Sequence, residues 1–187
     1  WMATLDINLL HTVRTIRATV PLMAGKGGGS IVIVSSISGW KPGPVAQYGA
    51  AKAAIASFTI ITAMELVRYG VTVNCLSPGA FTRMTSDLPG FESMDDEARE
   101  KMGPRWIAIP AVWLCSDAAR NVTGRILDVR GDTLGIAEMW QLGPTATQPD
   151  DPSDLTEVMA GLLAGARLNS DMAGRPTEGP GRPRPGL

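Results

Sequence analysis

The sequence predicts an α/β fold, because short apolar runs alternate with longer segments of helical periodicity. Three runs rich in β-branched residues, at 30–35, 71–76 and 125–129, show no polar alternation. Strands that are buried on both faces of a parallel sheet have this pattern. We therefore expect a three-layer arrangement in which these three strands lie parallel and adjacent in one sheet.

Hydrophobic spacing predicts the helices between and around the strands. Within 5–23, four apolar residues recur on one helical stripe: Leu9, Val13, Ile16 and Val20. An alanine-rich helix is expected over 47–69, where Gly70 closes it. Pro110 is expected to open a third helix that runs to 119, and a fourth is expected over 154–166.

Composition and charge restrict the classes of function. The 187 residues are 44% hydrophobic, which is enough for a sizeable core, and 17 basic residues nearly balance 18 acidic ones. A formal charge of −1 provides no general attraction for nucleic acid or an anionic membrane, and no run of 18 apolar residues predicts a membrane span. Two cysteines, Cys75 and Cys115, are expected as reduced thiols in a cytoplasmic protein. A single histidine, His11, predicts no metal site.

Composition also divides the chain into two parts. Residues 1–140 contain all the predicted strands and form the expected domain, and 141–187 form a C-terminal extension. After its one expected helix, the extension ends in 174–187, which holds four glycines and four prolines. Such a segment has little to bury, so we expect it to be disordered.

Tyr48 and Lys52 lie four residues apart in the predicted helix 47–69, so their side chains share one face. A phenol ordinarily ionises near pH ~10, and a neighbouring ammonium stabilises the phenolate. The pair is therefore a candidate general acid and base near neutral pH. The same spacing also occurs on solvated helix faces that have no catalytic role.

The position of neighbouring polar residues favours the catalytic interpretation. Ser35 and Ser36 end the first predicted strand at the carboxyl edge of the sheet, where open α/β sheets bind ligands. A serine there can hydrogen-bond the substrate oxygen that Tyr48 protonates, although it can also simply cap a turn. The segment 77–82, which begins Ser-Pro-Gly, follows the next strand and is expected to break it at Pro78-Gly79.

Five segments together resemble the short-chain dehydrogenase/reductase family over residues 1 to about 135. They are DINL (6–9), IVIVSSISG (31–39), YGAAK (48–52), GVTVNCLSPG (70–79) and WLCSDAARNVTGRILDVRG (113–131). The resemblance implies a Rossmann-type fold, an NAD or NADP cofactor, and hydride transfer between a secondary alcohol and a ketone. The substrate would therefore be a small molecule.

The resemblance also implies roles for individual residues. Tyr48 would be the acid/base, and Lys52 would support its ionisation and bind the nicotinamide ribose. Ser36 would orient the carbonyl, since the family usually places this hydroxyl second in such a serine pair. Asn8 would hold a water in a proton relay to Lys52. Further cofactor contacts would come from four residues after the second strand: Pro78, Gly79, Phe81 and Thr82.

The chain departs from the family pattern at its beginning. Family members start with a strand, the turn T-G-x-x-x-G-x-G and a helix whose N-terminus receives the pyrophosphate. The resemblance therefore implies that an N-terminal βαβ half of roughly a hundred residues (units of ~30 residues each) is missing. The glycine-rich segment 25–30 precedes a strand instead of following one, so we interpret it as a helix-ending turn.

Several finer interpretations stay open. Arg83-Met84-Thr85 and the ending of segment 113–131 are similar to the dehydrogenase units of multifunctional β-oxidation enzymes, which oxidise 3-hydroxyacyl-CoA. A steroid-like substrate is a second option. The family resemblance implies a homodimer or homotetramer formed through helix 47–69 when the domain is complete. We expect these 187 residues on their own to be inactive. The alternatives to an enzyme are a catalytically inactive truncated remnant and a Rossmann-like binding module.

Overall fold

The computed structural model describes residues 1–41, 45–88, 90–138, 140–167 and 170. The chain divides into two units, Trp1–Glu138 and Met139–Leu187. The first unit contains the sheet and all the residues predicted for the site. The predicted disorder of 174–187 concerns residues outside the described ranges.

The first unit is built on a four-stranded sheet in the order β1-β2-β3-β4. Its strands are β1 (Gly29–Val34), β2 (Val71–Gly79), β3 (Ile126–Arg130) and β4 (Thr133–Ile136). β1 pairs with β2 and β2 with β3, both in parallel, which confirms the predicted arrangement of three parallel strands.

β4 was not predicted, and it makes the sheet mixed because it pairs antiparallel to β3. Only two residues, Gly131 and Asp132, separate the two strands. Gly131 has φ +52°, a conformation that tight hairpin turns require and glycine adopts without strain. All four residues of β4 are exposed, so the strand lacks the buried apolar pattern by which the other three were recognised.

The predicted helix at 5–23 begins earlier and contains an irregular turn. It consists of α1 (Met2–Leu5), a π-helical segment (Asp6–Leu10) and α2 (His11–Gly25). Each residue of the predicted apolar stripe is buried or half-buried. Gly28, which follows α2, has φ +150°, and a Cβ there would lie 2.6 Å from the Gly70 carbonyl oxygen. The glycine-rich segment is therefore a close-packed turn before β1, as predicted.

The long central helix, α3 (Ala46–Leu66), continues as a 3₁₀ turn over Val67–Tyr69, and Gly70 closes it in the left-handed conformation. This agrees with the prediction for 47–69. The segment Ala46–Tyr69 is long and apolar enough to cross a membrane by length and composition alone. Because α3 packs against β2 and buries eight of its residues, it is better explained as the core helix of the unit.

The prediction that Pro110 opens a helix is wrong. The remaining helices are α4 (Asp96–Lys101), α5 (Arg105–Leu114) and α6 (Leu155–Gly165). α5 starts directly after Pro104, and Pro110 is buried inside it. A proline at the start of a helix leaves no hydrogen bond unmade, so Pro104 carries the signal that was attributed to Pro110. The predicted helix ends early, and 117–119 form a separate 3₁₀ turn.

The helices cover both faces of the sheet and give three layers. Successive strand residues point to opposite faces. Ser35, just after β1, hydrogen-bonds α3, whereas Ser30 on the other face bonds the Leu114 carbonyl of α5. The α5 face holds a buried apolar cluster of Leu76, Leu114, Ala119, Leu127 and Val129. The expected three-layer α/β architecture is confirmed.

Candidate active site

Three of the predicted catalytic residues, Ser36, Tyr48 and Lys52, lie where β1 ends and α3 begins. A 3₁₀ turn, Ile37–Gly39, follows Ser36 and packs directly on α3. A Cβ at Gly39 would lie 2.7 Å from the Lys52 carbonyl carbon, and one at Gly49 would lie 2.9 Å from the Ser38 backbone carbonyl oxygen. Real Cβ atoms do not approach so closely, so both glycines are needed for this contact between turn and helix.

Lys52 is buried beneath this turn, with 8% of the residue exposed. Its Nζ donates a hydrogen bond to the Val34 carbonyl at 3.1 Å and lies 5.5 Å from the centre of the Tyr48 ring. Tyr48 itself is half-buried. The structure thus brings both side chains together on one face of α3, the arrangement that their spacing predicted.

Burial lowers the pKa of the Lys52 ammonium, because removal from water disfavours the charged form. Cys75 on β2 is the nearby group that opposes this shift. Burial raises the pKa of the Cys75 thiol from 9.0 to about 11, so at neutral pH this neighbour is uncharged. Desolvation therefore dominates the electrostatics of Lys52 near neutral pH.

The two serines at the end of β1 have different partners. The Ser35 hydroxyl is buried and donates a hydrogen bond to the Lys52 carbonyl oxygen at 2.7 Å. Ser36 is half-buried, and its Oγ accepts a hydrogen bond from the Ser38 backbone amide at 3.2 Å. Because Ser36 acts there as an acceptor, its own O–H can still donate to a bound oxygen. Of the pair, Ser36 is the one whose hydroxyl hydrogen is available.

Asn8 lies in the π-helical segment, which packs against α3. Its side-chain Nδ2 donates to the Thr4 backbone carbonyl at 3.0 Å, and the Asn8 backbone carbonyl accepts from the Thr12 hydroxyl at 3.2 Å. π-helical turns inside α-helices are frequent at functional sites. The hydrophobic spacing gave no indication of this wider turn, since the sequence around Asn8 fits a regular helix equally well.

The loop after β2 begins later than predicted, because Pro78 and Gly79 belong to the strand. They pair with Val129 and Arg130 of β3, so the prediction that they break the strand is wrong. Beyond the partner of Val34, β2 has a strand on one side only. A proline is tolerated there since its missing N–H faces the open side.

The segment 80–85 is braced by Thr85, which the sequence analysis did not identify. The Thr85 hydroxyl donates to the Ala80 carbonyl and accepts from the Thr82 amide, both at 2.8 Å. Phe81 donates its amide hydrogen to the Met102 carbonyl at 2.7 Å and stacks on Phe91 at 6.3 Å between ring centres. Phe81 and Thr82 are thus held in a defined loop beside the carboxyl ends of β2 and β3.

A second polar group missed by the sequence analysis lies at the same edge. The Trp40 indole donates to the buried Ser77 hydroxyl at 3.4 Å, and Ser77 donates to Asp128 at 3.1 Å. Asp128 in turn forms an ion pair with Arg130 at 3.2 Å. Ser77 and Asp128 are paired in the register of β2 and β3, although 51 residues separate them. Strand register was the only signal that could have linked them.

The arrangement at this edge has the parts that carbonyl chemistry needs. A phenol lies next to a buried ammonium, and a serine hydroxyl able to donate sits at the start of the adjoining turn. A phenol supported by a cation can exchange a proton, and a hydroxyl donor can polarise a carbonyl. The described loop 80–82 adds backbone and side-chain groups at the same edge of the sheet.

Comparisons with known proteins identify relatives of this chain. A family profile described as "Enoyl-(Acyl carrier protein) reductase" matches residues 1–131. The human protein "Dehydrogenase/reductase SDR family member 4" is 39% identical over 141 residues, covering 71% of this chain and 51% of that protein. An uncharacterized NAD-dependent oxidoreductase of Mycobacterium tuberculosis is 34% identical over 145 residues, covering 69% of this chain and 53% of that protein.

Solved structures give the same answer. A short-chain dehydrogenase from Mycobacterium avium superposes with a TM-score of 0.69 at 34% identity, covering 86% of this chain and 53% of that structure. The chain spans about half the length of the curated relatives it matches. The matched region includes Asn8, Ser36, Tyr48 and Lys52, together with the loop after β2. On its sequence and its fold, the chain belongs to the short-chain dehydrogenase/reductase family.

Proposed function

We propose that this protein is an NAD(P)-dependent oxidoreductase that interconverts a secondary alcohol and a ketone by hydride transfer. The observation that carries the proposal is the burial of the Lys52 ammonium between the Val34 carbonyl and the Tyr48 ring. A charge is costly to bury, and this one lies beside a phenol at the ligand-binding edge of the sheet.

Each site residue then has a defined task during ketone reduction. The nicotinamide, when bound, supplies the hydride to the carbonyl carbon. Tyr48 gives its phenolic proton to the oxygen that becomes the alcohol, and Ser36 donates a hydrogen bond to that oxygen. The Lys52 ammonium stabilises the phenolate that remains. Asn8, in the π-helical segment against α3, holds a water through which the phenol is reprotonated.

The described residues fit one end of the cofactor. Lys52 and Tyr48 would hold the nicotinamide ribose, and the loop that includes Pro78, Gly79, Phe81 and Thr82 would cover the nicotinamide. The pyrophosphate end finds no such fit in the glycine-rich turn, which precedes β1 and packs on Gly70. We therefore expect the 187-residue chain to bind NADH or NADPH with a Kd above ~1 mM. This corresponds to a binding free energy weaker than about 4 kcal/mol.

The decisive experiment compares the chain's two tyrosines. In an active, complete chain supplied with cofactor and a ketone substrate, Tyr48→Phe should lower kcat by ~100-fold or more, the scale of general-acid catalysis. Tyr69→Phe, at the far end of α3, is the matched control and should leave kcat unchanged. Wild-type turnover in Tyr48→Phe would remove Tyr48 from the mechanism. A folded wild-type chain without hydride transfer would favour the binding-module or inactive-remnant alternative.

The substrate class can be tested in the same assay. We propose a 3-hydroxyacyl thioester and its ketone as first substrates, with a steroid-like alcohol as second. Since the matching family profile is described as an enoyl reductase, an enoyl thioester should be included. Turnover of the ketone alone supports the proposal, whereas turnover of the enoyl thioester alone contradicts it. NAD is the first cofactor to try, because one relative is named as NAD-dependent.

Assembly through α3 is part of the proposal. Two large apolar residues of this helix, Ile61 and Met64, are exposed, and so is Val67 in the 3₁₀ turn that follows it. Its alanines would let the α3 helices of two subunits approach closely, and burying these side chains would stabilise a homodimer or homotetramer. Sedimentation equilibrium of the purified chain tests this directly. A cytoplasmic location stays a prediction from the cysteine content.

A further inference from the structure

We propose that Ser35 is a positioning residue for the proposed reaction: its hydroxyl holds the backbone of Lys52 so that the ammonium lies against Val34 and beside Tyr48. The inference rests on the proposed function for its purpose. The contacts on which it depends are visible without cofactor or substrate.

Lys52 is held at its backbone carbonyl and at its ammonium by two adjacent residues, Ser35 and Val34, at the end of β1. Its backbone carbonyl accepts from the Ser35 hydroxyl at 2.7 Å, and its Nζ donates to the Val34 carbonyl at 3.1 Å. Because Val34 and Ser35 are neighbours in sequence, these two bonds close a small ring between strand and helix. A long, flexible lysine side chain is thereby restricted to one position.

The acceptor that Ser35 uses is informative. Lys52 lies in the interior of α3, where each carbonyl already accepts from the amide four residues on. The Ser35 bond is therefore an additional one for this carbonyl, and it also gives the buried Ser35 hydroxyl an acceptor. What it adds is a defined distance between the end of β1 and this turn of α3.

Ser30 makes a superficially identical bond with a different purpose. Its hydroxyl donates to the Leu114 carbonyl, also at 2.7 Å. Leu114 is the last residue of α5, and carbonyls in the final turn of a helix lack an intrahelical partner. The Ser30 bond therefore caps a helix. The two serines of one chain segment form a matched pair in which only Ser35 touches the site.

Gly39 shows that the contact at the Lys52 carbonyl also depends on a residue without a side chain. The Ile37–Gly39 turn approaches the Lys52 carbonyl from the other side, so closely that no Cβ would fit at Gly39. The turn carries Ser36 at its start. Contacts at the Lys52 carbonyl thus fix the positions of Ser35 and of the turn that carries Ser36 relative to α3.

The test measures the Lys52 ammonium directly. The chain contains four lysines, Lys26, Lys41, Lys52 and Lys101, so lysine labelled with ¹³C at Cε gives four signals to follow by NMR. The Lys52 signal is assigned by its loss in Lys52→Arg. Groups facing Lys52 are the Cys75 thiol from β2, the Val34 carbonyl from β1 and Tyr48 on its own helix, and all are retained in the variants.

In Ser35→Ala, loss of the tether admits water around the ammonium, so the pKa of Lys52 should rise toward the ordinary lysine value, by ~0.5 or more. Ser35→Thr retains the hydroxyl and should restore the wild-type titration. Ser30→Ala should leave it within ~0.2 of wild type, whatever it does to stability. If Ser35→Ala does not fold, Ser35→Cys, which weakens the bond at similar volume, is judged by the same criterion.

An unchanged Lys52 titration in the folded Ser35 variant would overturn the proposal, and so would an equal shift in Ser30→Ala. The measurement needs neither cofactor nor turnover. A chain that passes this test but transfers no hydride would therefore refute the proposed function alone.

Discussion

The two faces of the sheet differ in the polar side chains that they bury. The α5 face holds a cluster of aliphatic residues around Leu114, which is 1% exposed. Its one fully buried amide, Asn74, is bonded to the carbonyl of Val122 and the amide of Arg125. The α3 face buries a lysine ammonium, a thiol and several hydroxyls toward its carboxyl end. Ser35 and Cys75 lie next to Lys52 at the proposed site.

The difference shows where stability and chemistry reside. Aliphatic packing contributes free energy in proportion to the area buried, and both faces supply it, since the α3 face also buries Ile31, Ile33 and Ile55. Burial of the Lys52 charge works in the opposite direction, and backbone carbonyls and tight turns compensate for it locally. Perturbing the α5 face should therefore change stability alone, whereas perturbing the polar groups around Lys52 on the α3 face should also change titration behaviour.

Leu114→Ala should produce the largest effect, because it removes the centre of the α5 cluster. We expect the free energy of unfolding to fall by about 3 kcal/mol, the usual cost of such a cavity. Urea denaturation measures this, with Val112→Ala, on the 71% exposed Val112 of the same helix, as control. A loss below about 1 kcal/mol would show that the α5 cluster contributes little to stability.

Cys75→Val should change how stability depends on alkaline pH. The thiol pKa is 9.0 when unfolded and about 11 in the protein, so the folded state holds its proton more tightly. Its contribution is complete below pH 9 and is lost as the pH rises toward 11, by about 2 kcal/mol. The valine variant should lack this loss. Because Cys75 also raises the pKa of Lys52, the difference between the two proteins reports on Cys75 together with its effect on Lys52, and parallel pH profiles would contradict the assignment.

Lys52→Ala should have the smallest energetic effect and the most specific one. Without its cationic neighbour, the Tyr48 phenolate is less stable, so the pH optimum of activity should move upward. The pH profile of kcat measures this. Arg68→Ala removes a cation elsewhere on the α3 segment and serves as control. An unchanged optimum in Lys52→Ala would leave the lysine without a role in catalysis.

The sequence allowed the sheet and the core of the site to be predicted, because both depend on local patterns. Apolar runs located three strands, and a four-residue spacing placed Tyr48 beside Lys52. The hairpin to β4 and the helix at Pro104 were missed, since a short exposed strand and the choice between two prolines leave little local signal. Contacts between distant residues, such as Ser77 with Asp128, depend on strand register that no local pattern specifies.

The π-helical segment has a consequence for how the first helix can change. An α-helix advances 100° per residue, so one extra residue in a wide turn offsets the helical segments on its two sides by about that angle. α1 thereby meets α3, while Ile16 of α2 stays buried toward the sheet. Removing a single residue from Asp6–Leu10 would restore a regular helix and turn α1 and its contacts away. The number of residues in this segment therefore matters more than their side chains. Deleting one residue should disturb the contacts of α1 more than most substitutions would.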